Sequence, residues 1–103
     1  MRSVGGVQNN GGLEVTNNPK RNRYEARLDG RLAGFAEYEL SDGLINFTHT
    51  LVRPAFEGRG VGSALVRASL DDVRTDGTRK VAASCPFFRR WLDHHPDYHD
   101  LRQ

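Results

Sequence analysis

The sequence has few of the residues that mark secreted and membrane proteins. It contains one cysteine, Cys85, so no disulfide can form within the chain, and a lone thiol is typical of a reducing compartment. No apolar run approaches the ~20 residues that a membrane span requires. The first residues lack the apolar centre of a secretory signal. We therefore expect a cytoplasmic location and no membrane partner.

The sequence also lacks a strong excess of charge of either sign. Its net charge is +2, from 15 Lys and Arg against 13 Asp and Glu, and the two signs are mixed along the chain. Aromatic and basic side chains do not interleave on a strand, as they do in many nucleic-acid-binding domains. We therefore expect no nucleic-acid partner, and a small nucleic-acid-binding α+β domain is only a weaker alternative.

The length and composition that remain suit one globular domain. A chain of 103 residues can enclose one modest core. Residues 1–12 are rich in Gly and Asn and offer few side chains to bury, so we predict a disordered tail there. Residues 13–103 are predicted to form the single domain.

Hydrophobic periodicity predicts an α+β fold in the order β-β-β-β-α-β-α, with a mostly antiparallel sheet of about five strands. Alternating polar and apolar residues indicate the first strands, and Asp29-Gly30 is a strong signal for a tight hairpin turn. The carboxylates of Glu25, Glu37 and Glu39 are expected to be surface charges. The four predicted strands before the first helix cover approximately residues 13–16, 23–28, 31–40 and 44–52.

The fourth predicted strand, "LINFTHTLV", is rich in β-branched and aromatic residues, which favours a central position. Strict alternation would place Ile45, Phe47, His49 and Leu51 on one face of the sheet. His49 would then lie on an apolar face.

Two helices are predicted after that strand. From Gly60 the apolar residues recur with helical period, and Asp76-Gly77 indicates the helix end. A strand, "RKVAASC", follows, and Pro86 then suits the first turn of a second helix that Pro96 should end. The crossover should place the last strand parallel to the fourth one.

The stretch "VRPAFEGRGVGSALV" carries the clearest functional signal. Gly58, Gly60 and Gly62 surround Arg59 and lead directly into the first predicted helix. A glycine-rich loop at a helix start can hold a phosphate on unpaired N–H groups, although a plain flexible turn is the alternative reading.

Two common phosphate loops do not fit this stretch. A dinucleotide fingerprint, G-x-G-x-x-G, fails in both registers because Ser63 or Leu65 stands where the third glycine belongs. A Walker loop needs a lysine after its second glycine, and no lysine follows any glycine here.

A third pattern fits, because the loop resembles the coenzyme A loop of the GNAT superfamily of N-acetyltransferases, [QR]-x-x-G-x-[GA]. Glu57 stands where that family usually has Gln or Arg. The segments "INFTHTLVRPAFEGRGVGSALV" and "CPFFRRWLDHHPDY" are similar to those of the small YjdJ-like N-acetyltransferases, which lack the N-terminal helices of larger members. The resemblance covers nearly everything from Leu13 to Leu101.

The resemblance implies a minimal GNAT fold in which the last two strands are parallel and splayed. It also implies acetyl-CoA as co-substrate and an amine acceptor that is a small molecule or a protein amine. Because an exposed groove in so short a chain favours dimerisation, we expect a monomer or a homodimer. Main-chain groups between the splayed strands would contact the pantetheine arm, and the glycine loop would hold the diphosphate. The implied cofactor-binding residues are Leu51, Val52, Arg53, Glu57, Gly58, Arg59, Gly60, Val61, Gly62, Ser63, Arg89 and Arg90.

Two residues are candidates for catalysis. Histidine side chains can act as bases near neutral pH, so His49 could accept a proton from the amine, or it could be a neutral histidine that only shapes the groove. Cys85 lies at the end of the last predicted strand, facing the splay, and could accept the acetyl group covalently, or it could be a buried small hydrophobe. A main-chain N–H between Thr50 and Val52 is the expected donor to the oxyanion.

Two further alternatives bear on function. A metal site is not expected, because Pro96 interrupts the helix that would align His95 and His99, and no second cysteine accompanies them. A binding module that keeps the acyl-CoA groove but has weak chemistry, acting as a sensor or interaction domain, is the second reading of the whole chain.

Overall fold

The computed structural model describes residues 8–10 and 12–103. Six strands form one sheet in chain order, antiparallel throughout except for the last pair, which is parallel. The predicted α+β architecture is confirmed. The strands are β1 Gln8–Asn10, β2 Leu13–Asn18, β3 Arg23–Leu28, β4 Arg31–Ser41, β5 Leu44–Val52 and β6 Lys80–Ala83.

The tail that the sequence predicts as disordered, residues 1–12, falls largely outside the described residues. Residues 1–7 and residue 11 are not described, and disorder there stays a prediction. Gln8–Asn10 pairs with β2 as β1, so the described sheet has one strand more than the five predicted.

Two helices and three short turns complete the described part of the chain. They are α1 Val61–Asp76, α2 Pro86–Asp93 and the 3₁₀ turns Pro19–Arg21, Pro54–Phe56 and Pro96–Leu101. Gly77 ends α1 with a φ of 75°, a left-handed conformation that costs glycine no Cβ strain. Pro86 occupies the first turn of α2, where its missing N–H is not needed. Both helix starts and the α1 end agree with the sequence prediction.

Both helices pack on the same face of the sheet. The Phe88 ring of α2 stacks on Phe47 of β5 with centroids 4.1 Å apart, and the Tyr24 hydroxyl of β3 donates to Asp72 of α1 at 2.6 Å. Tyr24 and Phe47 themselves lie ring to ring at 6.2 Å, so the two helices cover one continuous core. Neither α-helix lies on the opposite face, which we call the open face.

A bulge interrupts the alternation of β5. Phe47 lies opposite Tyr38 of β4, whereas His49 lies opposite Glu37, the next residue along β4. Thr48 is therefore an extra residue in β5, and its hydroxyl donates to the Glu37 carbonyl at 3.4 Å. A bulge of this kind shifts which side chains share a face.

Because of the bulge, the side chains at the end of β5 point to the faces opposite to those that strict alternation predicts. Thr50 lies opposite a buried alanine of β4 and Val52 packs against the core, so both point to the helix face. His49 and Leu51 are exposed on the open face. The prediction that they share a face with Phe47 is wrong, because periodicity cannot show an inserted residue.

An ion cluster lies on the open face around Glu25, which is only 5% exposed. Its carboxylate accepts hydrogen bonds from Arg23 at 2.8 Å, Arg27 at 2.9 Å and Asn18 at 3.0 Å. Arg23 and Arg27 share the face of Glu25 because they are two residues away on the same strand. Glu25 is therefore not the surface charge that the sequence suggests.

Burial and hydrogen bonding act in opposite directions on Glu25. Burial alone would raise the pKa of this carboxyl group, but the hydrogen bonds from Arg27, Arg23 and Asn18 outweigh it and lower the pKa from 4.5 to about 2. The ionised form is thus favoured in the folded state, and its contribution to stability depends on pH.

We expect Glu25→Gln to remove an acid-sensitive part of the stability. The folded pKa lies below the unfolded one, so the contribution is complete above pH 4.5 and is lost as the pH falls toward about 2. It amounts to roughly 3 kcal/mol at pH 7. Urea unfolding at pH 7 and pH 3 should show a smaller pH dependence in the variant. Glu39→Gln, at an exposed position of β4, is the control; equal pH dependence in Glu25→Gln and the native protein would contradict the prediction.

Candidate functional site

The central feature of the site is an opening where β5 and β6 separate. Their pairing covers four residue pairs and ends at Phe47 and Ala83. The N–H of Cys85 makes one more hydrogen bond, to the Phe47 carbonyl at 3.0 Å, and α2 then begins. β5 continues to Val52, so its last residues have no strand partner on this side within the described chain. The splay implied by the resemblance is present.

The main-chain N–H and C=O groups at the end of β5 point alternately to the two edges of the strand. Arg53 donates its N–H to a β4 carbonyl at 2.8 Å, and its own carbonyl accepts an N–H from the following turn at 2.8 Å. Because successive residues of a strand turn their main-chain groups to alternate edges, Thr50 and Val52 face the opening. Among the predicted main-chain contacts, Val52 therefore presents its groups to the opening, whereas those of Leu51 and Arg53 are turned elsewhere.

The glycine loop ends at an uncapped helix start. Gly60 is the residue before α1, with a φ of 78°, and no side chain caps the first turn, which also contains no acidic residue. The N–H groups of Val61, Gly62 and Ser63 have no partner within the helix. They lie at the positive end of a 16-residue helix, so the structure has the donors that an anion requires.

The three glycines are required for two different reasons. Gly58 and Gly60 both have a φ of 78° and have open space where a Cβ would lie, so their role is conformational. A Cβ at Gly62 would lie 2.9 Å from Cζ of Phe87 and 3.7 Å from Cγ2 of Val52. Gly62 therefore allows α1 to approach α2 and β5 closely.

A cavity of about 260 Å³ brings the loop and the end of β5 together. Val52 and most of the predicted diphosphate loop line this cavity. Sequence reasoning missed two of its aromatic walls, Phe56 and Phe87. Its lining residues are Val52, Phe56, Glu57, Gly58, Gly60, Val61, Gly62, Ser63 and Phe87.

Phe87 is the missed residue with the clearest sequence signal. It is 43% exposed, whereas Phe88 next to it is fully buried. Adjacent residues on a helix point about 100° apart, so both rings of the "PFF" segment could not face the core equally. The exposed ring forms an apolar wall of the cavity beside Gly62.

The predicted arginines are not gathered at this cavity. Arg59 is exposed on the loop but does not line the cavity, and the Arg53 guanidinium lies 3.5 Å from the Leu32 carbonyl. Arg89 lines a separate groove beside β6 and the C-terminus. Arg90 is exposed on α2 and does not line the cavity either.

The two candidate catalytic residues lie on opposite faces of β5. Cys85 is 4% exposed, and its thiol lies 3.5 Å from the Thr50 hydroxyl on the helix face. His49 is exposed on the open face, opposite Glu37. The structure therefore does not bring His49 and Cys85 together as a hydrogen-bonded pair, but it places them on the two sides of the strand that borders the opening.

The C-terminal histidines are engaged with carbonyl groups. His95 Nδ1 lies 2.6 Å from the Trp91 carbonyl, and His99 Nε2 lies 2.7 Å from the Leu92 carbonyl. Across residues 8–10 and 12–103, no group of three or more His, Cys, Asp or Glu side chains is placed to hold a metal ion. In the same residues, no helix has the length and apolar character needed to span a membrane.

Comparison with known proteins supports one family. The model of a family described as GCN5-related N-acetyl-transferase matches residues 23–101. Protein NATD1 of Gallus gallus is 28% identical over 87 residues, which are 82% of this chain and 77% of that protein. Protein NATD1 of Mus musculus is 26% identical over 93 residues, 87% of this chain and 83% of that protein.

Solved structures show the same fold in longer chains. Ard1 from Thermoplasma volcanium is 25% identical, with a TM-score of 0.52 over 60% of this chain and 43% of its own. A ribosomal-protein-alanine N-acetyltransferase from Brucella melitensis biovar Abortus 2308 is 23% identical, with a TM-score of 0.55 over 79% of this chain and 60% of its own. The chain thus spans about half the length of these two structures.

We expect Gly60→Ala to be destabilising, and we expect the effect of Gly62→Ala to depend on the Phe87 ring, which is 43% exposed. The new methyl group at residue 62 meets the Phe87 ring, so its effect on stability should shrink in a Phe87→Ala background. At residue 60 the cost is left-handed strain of about 1–2 kcal/mol, which Phe87→Ala should not change. Urea unfolding of the two double-mutant cycles measures both terms. A coupling energy of zero at residue 62 would refute the packing role of Gly62.

Proposed function

The chain belongs to the GCN5-related N-acetyltransferase family, and from that premise we propose that it transfers an acetyl group from acetyl-CoA to an amine. The observation that carries the proposal is the cavity that joins the uncapped start of α1 to the open edge of β5. It combines donors for an anion with strand-like donors and acceptors for an extended arm. Coenzyme A has both features, a diphosphate and a pantetheine arm with amide groups.

The diphosphate is assigned to the start of α1. The N–H groups of Val61, Gly62 and Ser63 supply the hydrogen bonds, and the helix dipole adds favourable potential. Gly58 and Gly60 leave open space around the loop. Arg59 is exposed beside these groups and supplies a formal positive charge.

The pantetheine arm is assigned to the opening between β5 and β6. The main-chain groups of Val52 and Thr50 face it and can pair with an extended chain as another strand would. The exposed ring of Phe87 gives the arm an apolar wall. This assignment places the thioester near the inner end of the opening, where Cys85 and Thr50 lie.

When bound, acetyl-CoA supplies an activated acetyl group, and transfer forms a C–N bond as the C–S bond breaks. A main-chain N–H of β5 facing the opening, from Thr50 or Val52, stabilises the negative charge that develops on the carbonyl oxygen. His49 is exposed on the open face, from which an amine can approach, and we assign it the role of proton acceptor.

Direct attack by the amine fits the geometry better than an acetylated cysteine. The Cys85 thiol is almost completely buried and contacts Thr50, whereas reactive cysteines are usually accessible thiolates. We therefore assign Cys85 a role in shaping the inner end of the opening. The covalent route is the alternative outcome of the experiment below.

A sensor or interaction module that binds acyl-CoA is the second candidate function. One observation favours it: Glu57 places a carboxylate in the wall of the proposed diphosphate site, where the family usually has Gln or Arg. A negative charge there weakens binding of a second anion. Turnover decides between the two functions.

The proposed binding site predicts thermal stabilisation by coenzyme A. A saturating ligand that binds only the folded state should raise the Tm by about 5 °C or more. Gly60→Val should abolish the rise, because the loop can no longer adopt its left-handed turn around the diphosphate. Gly43→Val is the matched control: its φ is 67° and it lies in the turn before β5. An equal rise in Gly60→Val and the native protein would contradict the site.

Turnover with acetyl-CoA and a panel of amines tests the catalytic assignments. We expect His49→Gln to lower kcat roughly 10²- to 10⁴-fold and Cys85→Ala to retain most activity. His94→Gln, an exposed histidine on the far end of α2, is the control. Loss of activity in folded Cys85→Ala with retention in His49→Gln would indicate the covalent route. Binding without turnover of any amine would favour the sensor.

A further inference from the structure

A second cavity lies at the other end of α1, and we call it the distal cavity. Its volume is about 330 Å³, within the range of roughly 300–1,000 Å³ that is typical of small-molecule sites. Its walls include Asp72 and Asp76 of α1, Arg79 and the Tyr24 ring. α1 rises about 1.5 Å per residue, so Asp76 lies about 24 Å from Gly60. The distal cavity is therefore separate from the proposed acyl-CoA site.

Arg79 is the unexplained group in this cavity. Its side chain is half-buried, and its Nε is enclosed without a hydrogen-bond acceptor among residues 8–10 and 12–103. Buried polar groups in proteins nearly always have a partner, and an arginine fork fits a carboxylate with two parallel hydrogen bonds. The enclosed Nε is out of reach of a ligand, but the two terminal nitrogens are not among the enclosed unpartnered atoms of the described residues, and Arg79 lines the cavity. These terminal nitrogens are the groups that can receive an acidic group of a ligand.

Two carboxylates in the same cavity carry the opposite charge, and Arg79 lies close enough to Asp76 to contribute to the lowering of its pKa. Asp72 and Asp76 are four residues apart and so lie on one side of α1. The Tyr24 hydroxyl donates to Asp72 Oδ2 at 2.6 Å, and burial together with this bond raises the pKa of Tyr24, which remains a donor. Hydrogen bonds from Thr78 lower the pKa of Asp76, so its carboxylate stays ionised.

An apolar rim completes the cavity. Leu40 of β4 lines it and is 47% exposed, although it is a large aliphatic side chain. The charges favour a ligand that carries both signs. A simple anion would be repelled by the two aspartates, and a simple cation would leave Arg79 without a counter-charge from the ligand. A molecule with a negative group, a positive group and an apolar part complements Arg79, the two aspartates and Leu40.

We propose that the distal cavity binds a free α-amino acid with an apolar side chain, its carboxylate on Arg79, its ammonium group on Asp72 and Asp76, and its side chain toward Leu40. This site is independent of the acetyl-transfer function. A ligand that failed to bind here would leave the acyl-CoA assignment unchanged.

A titration with L-leucine, followed by ¹H–¹⁵N NMR of the full chain, tests the proposal. We expect saturable shifts at residues of the distal cavity, with the loop residues 58–63 unaffected. Leucinamide lacks the carboxylate and 4-methylpentanoate lacks the ammonium group, so each should bind at least tenfold more weakly. This comparison needs no variant and does not depend on the folding of a mutant.

Two arginine variants give a second test. Arg79→Gln should weaken L-leucine binding at least tenfold while its spectrum remains that of a folded protein. Arg74→Gln is the matched control, because Arg74 lies in the same end of α1 but pairs with Asp100, outside the distal cavity. The proposal is overturned by the absence of saturable shifts at millimolar L-leucine, by equal affinity for leucinamide, or by shifts that map to the glycine loop.

Discussion

One hydrogen bond marks the point at which β5 and β6 separate and the opening between them begins. The N–H of Cys85 donates to the Phe47 carbonyl, and beyond that contact β6 gives way to α2 while β5 continues. An unpaired strand edge normally attracts another strand. Here the edge is interior, bordered by β5, the glycine loop and the Phe87 ring. The same unpaired groups that would be a hazard at the rim of a sheet are here the groups that we propose bind the pantetheine arm.

The bulge at Thr48 gives this opening two chemically different sides. Without it, His49 would point toward the helices and be enclosed in the core. With it, Thr50 and Val52 point to the helices, and His49 points to the open face. A titratable ring therefore lies on the face that an acceptor can reach, and the buried Cys85 thiol lies on the other. One inserted residue therefore places the proposed proton acceptor on the open face and not in the core.

Features set by local residues were predictable from the sequence. Asp29 and Gly30 have φ values of 51° and 82°, as a tight hairpin requires, and α1 ends at the glycine that the pattern indicates. Features set by neighbours in space were not predictable. The burial of Glu25 depends on donors from two strands, and the packing role of Gly62 depends on a ring in α2. The bulge depends on the pairing register, which periodicity alone does not contain.

The main-chain hydrogen bonds of Arg53 have a consequence for ligand affinity. Both of its main-chain groups are already bonded, one to β4 and one to the turn that follows. The neighbouring Val52 is therefore held in a fixed orientation before any ligand arrives. The backbone conformational entropy of this segment is lost when the chain folds. An extended ligand therefore meets a strand edge that is already ordered, and binding costs less conformational entropy.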